Sequence, residues 1–194
     1  MIKAAFRLIF RLLGWKLNPN LPPEVFQNCV ITAAPHTALR DAVFMIGAFS
    51  IGKIPARFAV KKESNTLVLG RILESAGGLW IDRSPREKGA ERKSYIEAMQ
   101  ELFLSHNPTA MIIAPEGTRS LAKEWKSGFY HLAKAANVPI VLGYLDYEKK
   151  EAGAYHVIHP SDDQDADMQQ IMTFYKDIKG KYPSKFILDQ RYAS

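Results

Sequence analysis

The sequence predicts an α/β fold: a single-domain, mixed and largely parallel sheet flanked by helices, with an N-terminal amphipathic helix. Three observations carry that expectation. Short apolar runs of strand length alternate along the chain with longer amphipathic runs of helix length. The 194 residues, 47% hydrophobic and 24% charged, suffice for one sizeable core. No internal repeat, low-complexity stretch or second composition regime divides the chain.

In order along the chain, residues 2–17 read as an amphipathic helix. Lys3, Arg7 and Arg11 recur every fourth residue as a narrow basic stripe, and Phe6, Leu8, Ile9, Phe10, Leu12, Leu13 and Trp15 cover most of the rest. The arginines interrupt any signal-peptide core, and no apolar run reaches the length of a membrane span. The segment is expected either to lie in an anionic interface or to pack on the domain's own core. Asn18-Pro-Asn-Leu-Pro-Pro breaks the helix. Cys29–Ala34 is an apolar run of strand length, and Ala42–Phe49 is the body of a helix. Lys53–Lys61 reads as a second strand, Ser64 as the N-cap of a helix ended by Gly77-Gly78, and Leu79–Asp82 as a short strand with Arg83-Ser84-Pro85 as its exit. Glu91–His106 is helical, with Tyr95, Met99, Leu102 and Phe103 on one face. Ala110–Ala114 is a buried strand, Ser127–Ala136 a helix, Val138–Leu145 a strand, Tyr155–His159 a further strand candidate and Met168–Lys179 a last helix.

Charge and cysteine content narrow the function classes. The formal net charge is +6. Basicity concentrates near the N-terminus, while residues 146–170 hold Asp146, Glu148, Glu151, Asp162, Asp163, Asp165 and Asp167 against two lysines. A basic end points to an anionic partner on that side, either membrane or nucleic acid. No zinc-ligand spacing, phosphate-cradling glycine loop or RNA-binding aromatic signature accompanies it. The lone Cys29 excludes an intrachain disulfide and reads as a buried core residue.

Three strand exits carry polar chemistry. The first holds His36 and Asp41, at a strand-to-helix turn. Five residues on an ideal helix would leave the two side chains about 140° apart. They meet only if His36 stays outside the helix and Asp41 reaches back. A carboxylate on one ring nitrogen would leave the other free to accept a proton. A capping histidine beside a solvent-facing aspartate fits the spacing too. The second exit holds Asp82 and Arg83, and the third Glu116, Gly117, Thr118 and Arg119. If these strands run side by side in one direction, a base and two arginines share one edge. Arginine suits phosphate oxygens, and Gly117 allows either close backbone approach to a ligand or a positive φ. His131 and His156 sit inside elements, and His106 and His159 at element ends.

These residues also carry a family resemblance. His36-Thr-Ala-Leu-Arg-Asp41 resembles the His-x4-Asp box of the glycerolipid acyltransferases, the family of bacterial 1-acylglycerol-3-phosphate acyltransferase. Gly78-Leu-Trp-Ile-Asp-Arg83 is similar to the second block. Ala114-Pro-Glu-Gly-Thr-Arg-Ser120 is similar to the third, with alanine in place of the usual aromatic, and Trp125-Lys-Ser-Gly128 follows it. Val138-Pro-Ile-Val141 matches the fourth. The blocks appear in the family's order across residues 30–145.

The resemblance implies that residues 1–17 form a basic, membrane-associating helix and residues 18–194 an acyltransferase domain. His36, oriented by Asp41, would act as general base. An acceptor hydroxyl would attack the thioester of acyl-CoA or an acyl carrier protein, with no acyl-enzyme, metal or cofactor. Arg83, Glu116, Gly117, Thr118 and Arg119 would hold the head group of a lysolipid acceptor such as 1-acylglycerol-3-phosphate. The protein would sit peripherally on the cytoplasmic face of a membrane, with no nucleic-acid partner. Pro35 stands where phosphatidic-acid-forming members usually have asparagine. It keeps open an acylated amino-acid lipid of the ornithine or glycine type as acceptor. A non-catalytic lipid-binding protein on the same fold is the further alternative.

Overall fold

The structure, a computed structural model, describes residues 2–18, 21–61, 67–81, 95–106 and 108–193. Ser64, Asp82 and Arg83 lie outside the described residues. The helices are α1 (Ile2–Leu12), α2 (Asp41–Ile51), α3 (Leu67–Ala76), α4 (Tyr95–Ser105), α5 (Gly128–Ala136) and α6 (Gln164–Tyr175). The strands are β1 (Lys16–Asn18), β2 (Asn28–Ala33), β3 (Ala56–Lys61), β4 (Gly78–Ile81), β5 (Thr109–Ile113), β6 (Ile140–Asp146) and β7 (Glu151–Ile158).

Among the described residues the strands form one sheet, in the order β1-β7-β6-β2-β5-β3-β4. Every neighbouring pair is parallel except the β6–β7 hairpin. This is the mixed, largely parallel sheet that the alternating pattern predicts. Five consecutive residues of β2, Cys29 to Ala33, are buried, as is the whole of β6. Continuous burial is what a strand covered on both faces shows, and it explains why these runs lack alternation.

The core has two sides. One packs Met99, Phe103, Phe129, Tyr130, Met168 and Tyr175 against the sheet. The other holds Phe10, Trp15, Phe44 and Leu145 under α1 and α2. The two helices cross closely at Gly47, where an added Cβ would lie 2.9 Å from the Phe6 carbonyl oxygen.

Three elements differ from the sequence expectation. The N-terminal helix stops at Leu12 rather than at residue 17. Gly14 takes a φ of 77°, and Lys16–Asn18 instead pairs with Glu151–Gly153 as an edge strand. The last helix begins at Gln164 because the Asp163 side chain accepts the Ala166 N–H at 3.0 Å and caps it. The strand candidate at Tyr155–His159 belongs to the longer β7, which starts at Glu151.

The acids of residues 146–170 do local structural work. Asp146 accepts the backbone N–H groups of Glu148 and Lys149 in the β6–β7 turn. The buried Asp167 accepts the Tyr130 hydroxyl at 2.8 Å and the Ser161 N–H at 2.7 Å. Past α6 the chain returns across the sheet's edge. The Tyr182 N–H donates to Thr37 Oγ1, the Lys179 carbonyl accepts the Tyr147 N–H, and the buried Asp189 accepts the Trp125 N–H.

Candidate active site

The β2 strand ends at Ala33, and the chain reaches α2 through the turn that carries His36. Asp41 is the first residue of α2 and is 1% exposed. Its Oδ2 lies 3.1 Å from His36 Nδ1 and accepts the N–H groups of Thr37 and Ala38, both at 2.9 Å. Its Oδ1 accepts the Tyr147 hydroxyl at 2.5 Å. A carboxylate only accepts, so His36 Nδ1 carries the proton and Nε2 presents its lone pair. The His36 side chain is 23% exposed, enough to be reached by a ligand. The pair meets because His36 precedes the helix and Asp41 turns back onto it, the arrangement that the five-residue spacing requires.

The β5 strand is the direct parallel neighbour of β2, with Thr32 opposite Ile113. The loops that leave both strands therefore emerge side by side. Glu116 is buried, and its Oε1 accepts the His36 backbone N–H at 2.8 Å. Burial pushes its carboxyl up to about 7, against the opposing pull of that N–H. Gly117 adopts a φ of 66°, so the positive-φ alternative applies, and an added Cβ would come 3.2 Å from Lys126 Cγ. Thr118 and Arg119 are exposed and face the same cleft as His36. Asp82 and Arg83 would follow β4, which stands at the edge of the sheet with β3 between it and β5.

Two hollows meet at His36. One runs between the sheet and α2 and is lined mainly by apolar side chains, among them Phe26, Ile31, Met45, Phe49 and Leu145. The other is a wider cleft on the adjoining face of α2, sharing Met45 and Phe49 with the first and bounded by Ile46, Phe58, Ile112, Thr118, Arg119 and Lys126. His36 therefore stands on a wall shared by an apolar pocket and a cleft with cationic groups at its rim. Among the described residues, no group of three or more His, Cys, Asp or Glu side chains is placed to hold a metal ion. Cys29 is buried in β2, which pushes its thiol up to about 12 and makes it a poor nucleophile.

Sequence reasoning misses two contacts here. The bond from the His36 N–H to Glu116 depends on the adjacency of β2 and β5. Tyr147, on the turn after β6, reaches Asp41 across 106 residues of sequence. No motif surrounds that tyrosine.

A largely parallel sheet with a histidine–carboxylate pair at the carboxyl end of a central strand, open to an apolar pocket, is the arrangement in which α/β proteins place their chemistry. The acyltransferase family model matches residues 18–142, and the chain belongs to that family. The protein is an acyltransferase enzyme. No curated protein matches the chain.

Proposed function

We propose that this acyltransferase moves a fatty acyl group from acyl-CoA or an acyl carrier protein to the hydroxyl of a lysolipid such as 1-acylglycerol-3-phosphate. His36 Nε2 takes the proton from the acceptor hydroxyl as its oxygen attacks the thioester carbonyl. The tetrahedral intermediate collapses with cleavage of the C–S bond, and protonated His36 returns the proton to the leaving thiolate. The products are an ester and a free thiol, with no acyl-enzyme. The observation that carries this reading is the 3.1 Å contact from His36 Nδ1 to the buried Asp41. It fixes the tautomer and leaves one basic nitrogen facing the hollows.

The apolar pocket beneath α2 suits an acyl chain. Thr118, Arg119 and the Gly117 turn suit an acceptor head group at the open cleft, with Glu116 setting the His36 turn behind them. Arg83 is assigned to the same head group from its motif alone.

The reading extends to a peripheral position on the cytoplasmic face of a membrane. Its support is α1, where Leu8, Ile9 and Leu12 are exposed, Leu12 by 74%, with Leu13 exposed just past its end, beside the exposed Lys3, Arg7 and Arg11. No helix among the described residues is long and apolar enough to cross a membrane. Leu12→Glu is expected to weaken cosedimentation with anionic vesicles several-fold while leaving the thermal melt unchanged.

Release of CoA from palmitoyl-CoA in mixed micelles tests the chemistry, with lysophosphatidate, an acylated amino acid, or no acceptor. Acceptor-dependent release that falls at least ~10²-fold in His36→Ala is the expected result. Turnover retained in that folded variant would refute the general-base role. Dependence on the acylated amino acid alone would change the acceptor and leave the base in place.

A further inference from the structure

We propose that Tyr147 is a positioning residue of the acyl-transfer centre, its hydroxyl fixing the outer oxygen of Asp41 and, through it, the plane of the His36 ring. The inference rests on the general-base reading of His36 and deepens it.

The two oxygens of Asp41 are served unequally. Oδ2 takes three N–H contacts, from Thr37, Ala38 and the His36 ring. Among the described residues, Oδ1 takes a single donor, Tyr147 Oη, at 2.5 Å. Asp41 is buried, so bulk water does not stand in for that donor. Without Tyr147 the carboxylate would be held at one oxygen and free to pivot about it. His36 is hydrogen-bonded to that same pivot oxygen.

The phenol is itself held on every side. Its backbone N–H donates to the Lys179 carbonyl at 2.8 Å. Its ring meets Trp15 edge-on with centroids 4.9 Å apart, and Phe44 edge-on at 5.8 Å. Phe44 lies on α2 one turn beyond Asp41 and stacks on Trp15 at 4.3 Å. Arg40 and Lys181 approach the ring at 5.5 and 5.9 Å. Burial, reinforced by the bond to Asp41, raises the phenol above its ordinary range and keeps it a protonated donor. The charged and titratable groups facing Asp41 are thus His36 and Tyr147 in contact, Glu116 behind the His36 backbone, and Arg40 and Lys181 around the tyrosine.

Tyr147→Phe keeps the ring and its aromatic packing and removes only the hydroxyl. With lysophosphatidate and palmitoyl-CoA, the variant is expected to lose about 10-fold in kcat, with both KM values within about twofold. The acidic limb of its kcat–pH profile is expected to move to higher pH. Asp41, no longer sharing its charge with the phenol, would hold the imidazolium more strongly. The melting temperature is expected to stay within a few degrees of wild type. Unchanged kcat and an unchanged acidic limb would overturn the proposal, as would a loss confined to KM.

Nuclear magnetic resonance of the unaltered protein gives a second measurement that needs neither turnover nor the variant. A hydroxyl donated to a buried carboxylate exchanges slowly and gives a resolved downfield proton, and its absence would overturn the contact. His36→Ala separates the two readings. Turnover retained there removes the general base, whereas an inactive His36→Ala beside an unaltered Tyr147→Phe removes only the role of Tyr147.

Discussion

The turn after β2 and the loop after β5 leave neighbouring parallel strands side by side, yet the first is closed and the second is open. In the first, Asp41 is buried and accepts three N–H groups and a hydroxyl. In the second, Thr118 and Arg119 are exposed, and the one buried acid, Glu116, looks inward to the His36 N–H. The difference fits the two tasks of the proposed reaction. Proton transfer requires one nitrogen held in one direction, so its supports are dry and fully engaged. Recognition of an anionic head group requires donors still free to bind.

Substitutions on either side sharpen this contrast. Loss of the proposed base in His36→Ala has the largest expected effect on turnover. Asp41→Asn comes next, with kcat about 10²-fold lower, checked by steady-state kinetics. The amide oxygen can still accept the Thr37 and Ala38 N–H groups, and the Tyr147 hydroxyl can turn to accept from the new NH2. The fold is therefore expected to survive while the charge behind His36 is gone.

Arg119→Ala acts on the open side. The acceptor KM is expected to rise about 10-fold with kcat nearly unchanged, because the proposed head-group contact would serve ground state and transition state alike. A fall in kcat instead would assign Arg119 to the chemistry.

Glu116→Gln has the smallest effect and is read in stability. Burial raises the Glu116 carboxyl from 4.5 to about 7 in the folded chain. Between those values the folded state holds more protons than the unfolded one, so stability falls as pH rises through the window. Above it the cost reaches roughly 3 kcal/mol. Glutamine still accepts the His36 N–H and does not ionise. Its melting temperature relative to wild type is expected to be several degrees higher at pH 8 than at pH 4.5. Any constant cost of the amide cancels in that difference. A gap that does not change with pH would mean that Glu116 is solvated.

Local features were legible in advance. Apolar runs of strand length marked β2, β5 and β6 because burial on both faces demands continuous hydrophobicity. The His36–Asp41 contact was legible because it spans five residues and its geometry follows from where a helix starts. The end of α1 at Leu12, short of the expected residue 17, was not legible from Gly14 alone. Lys16–Asn18 becomes a strand only because β7 lies beside it. The acids of residues 146–170 had no role that the sequence could assign; Asp146, Asp163 and Asp167 serve a turn, a cap and the Tyr130 hydroxyl.

By itself, the sequence determined the fold class, the family and the identity of the histidine–carboxylate pair. Each depends on residue type at short spacing, where chain geometry leaves few alternatives. Only the tertiary structure decided that the Glu116 loop stands next to His36, that β4 lies at the sheet's edge, and that Tyr147 closes the far side of Asp41. Strand order in a parallel sheet is set by how the helical crossovers pack, and that packing is a property of the whole core rather than of any one segment.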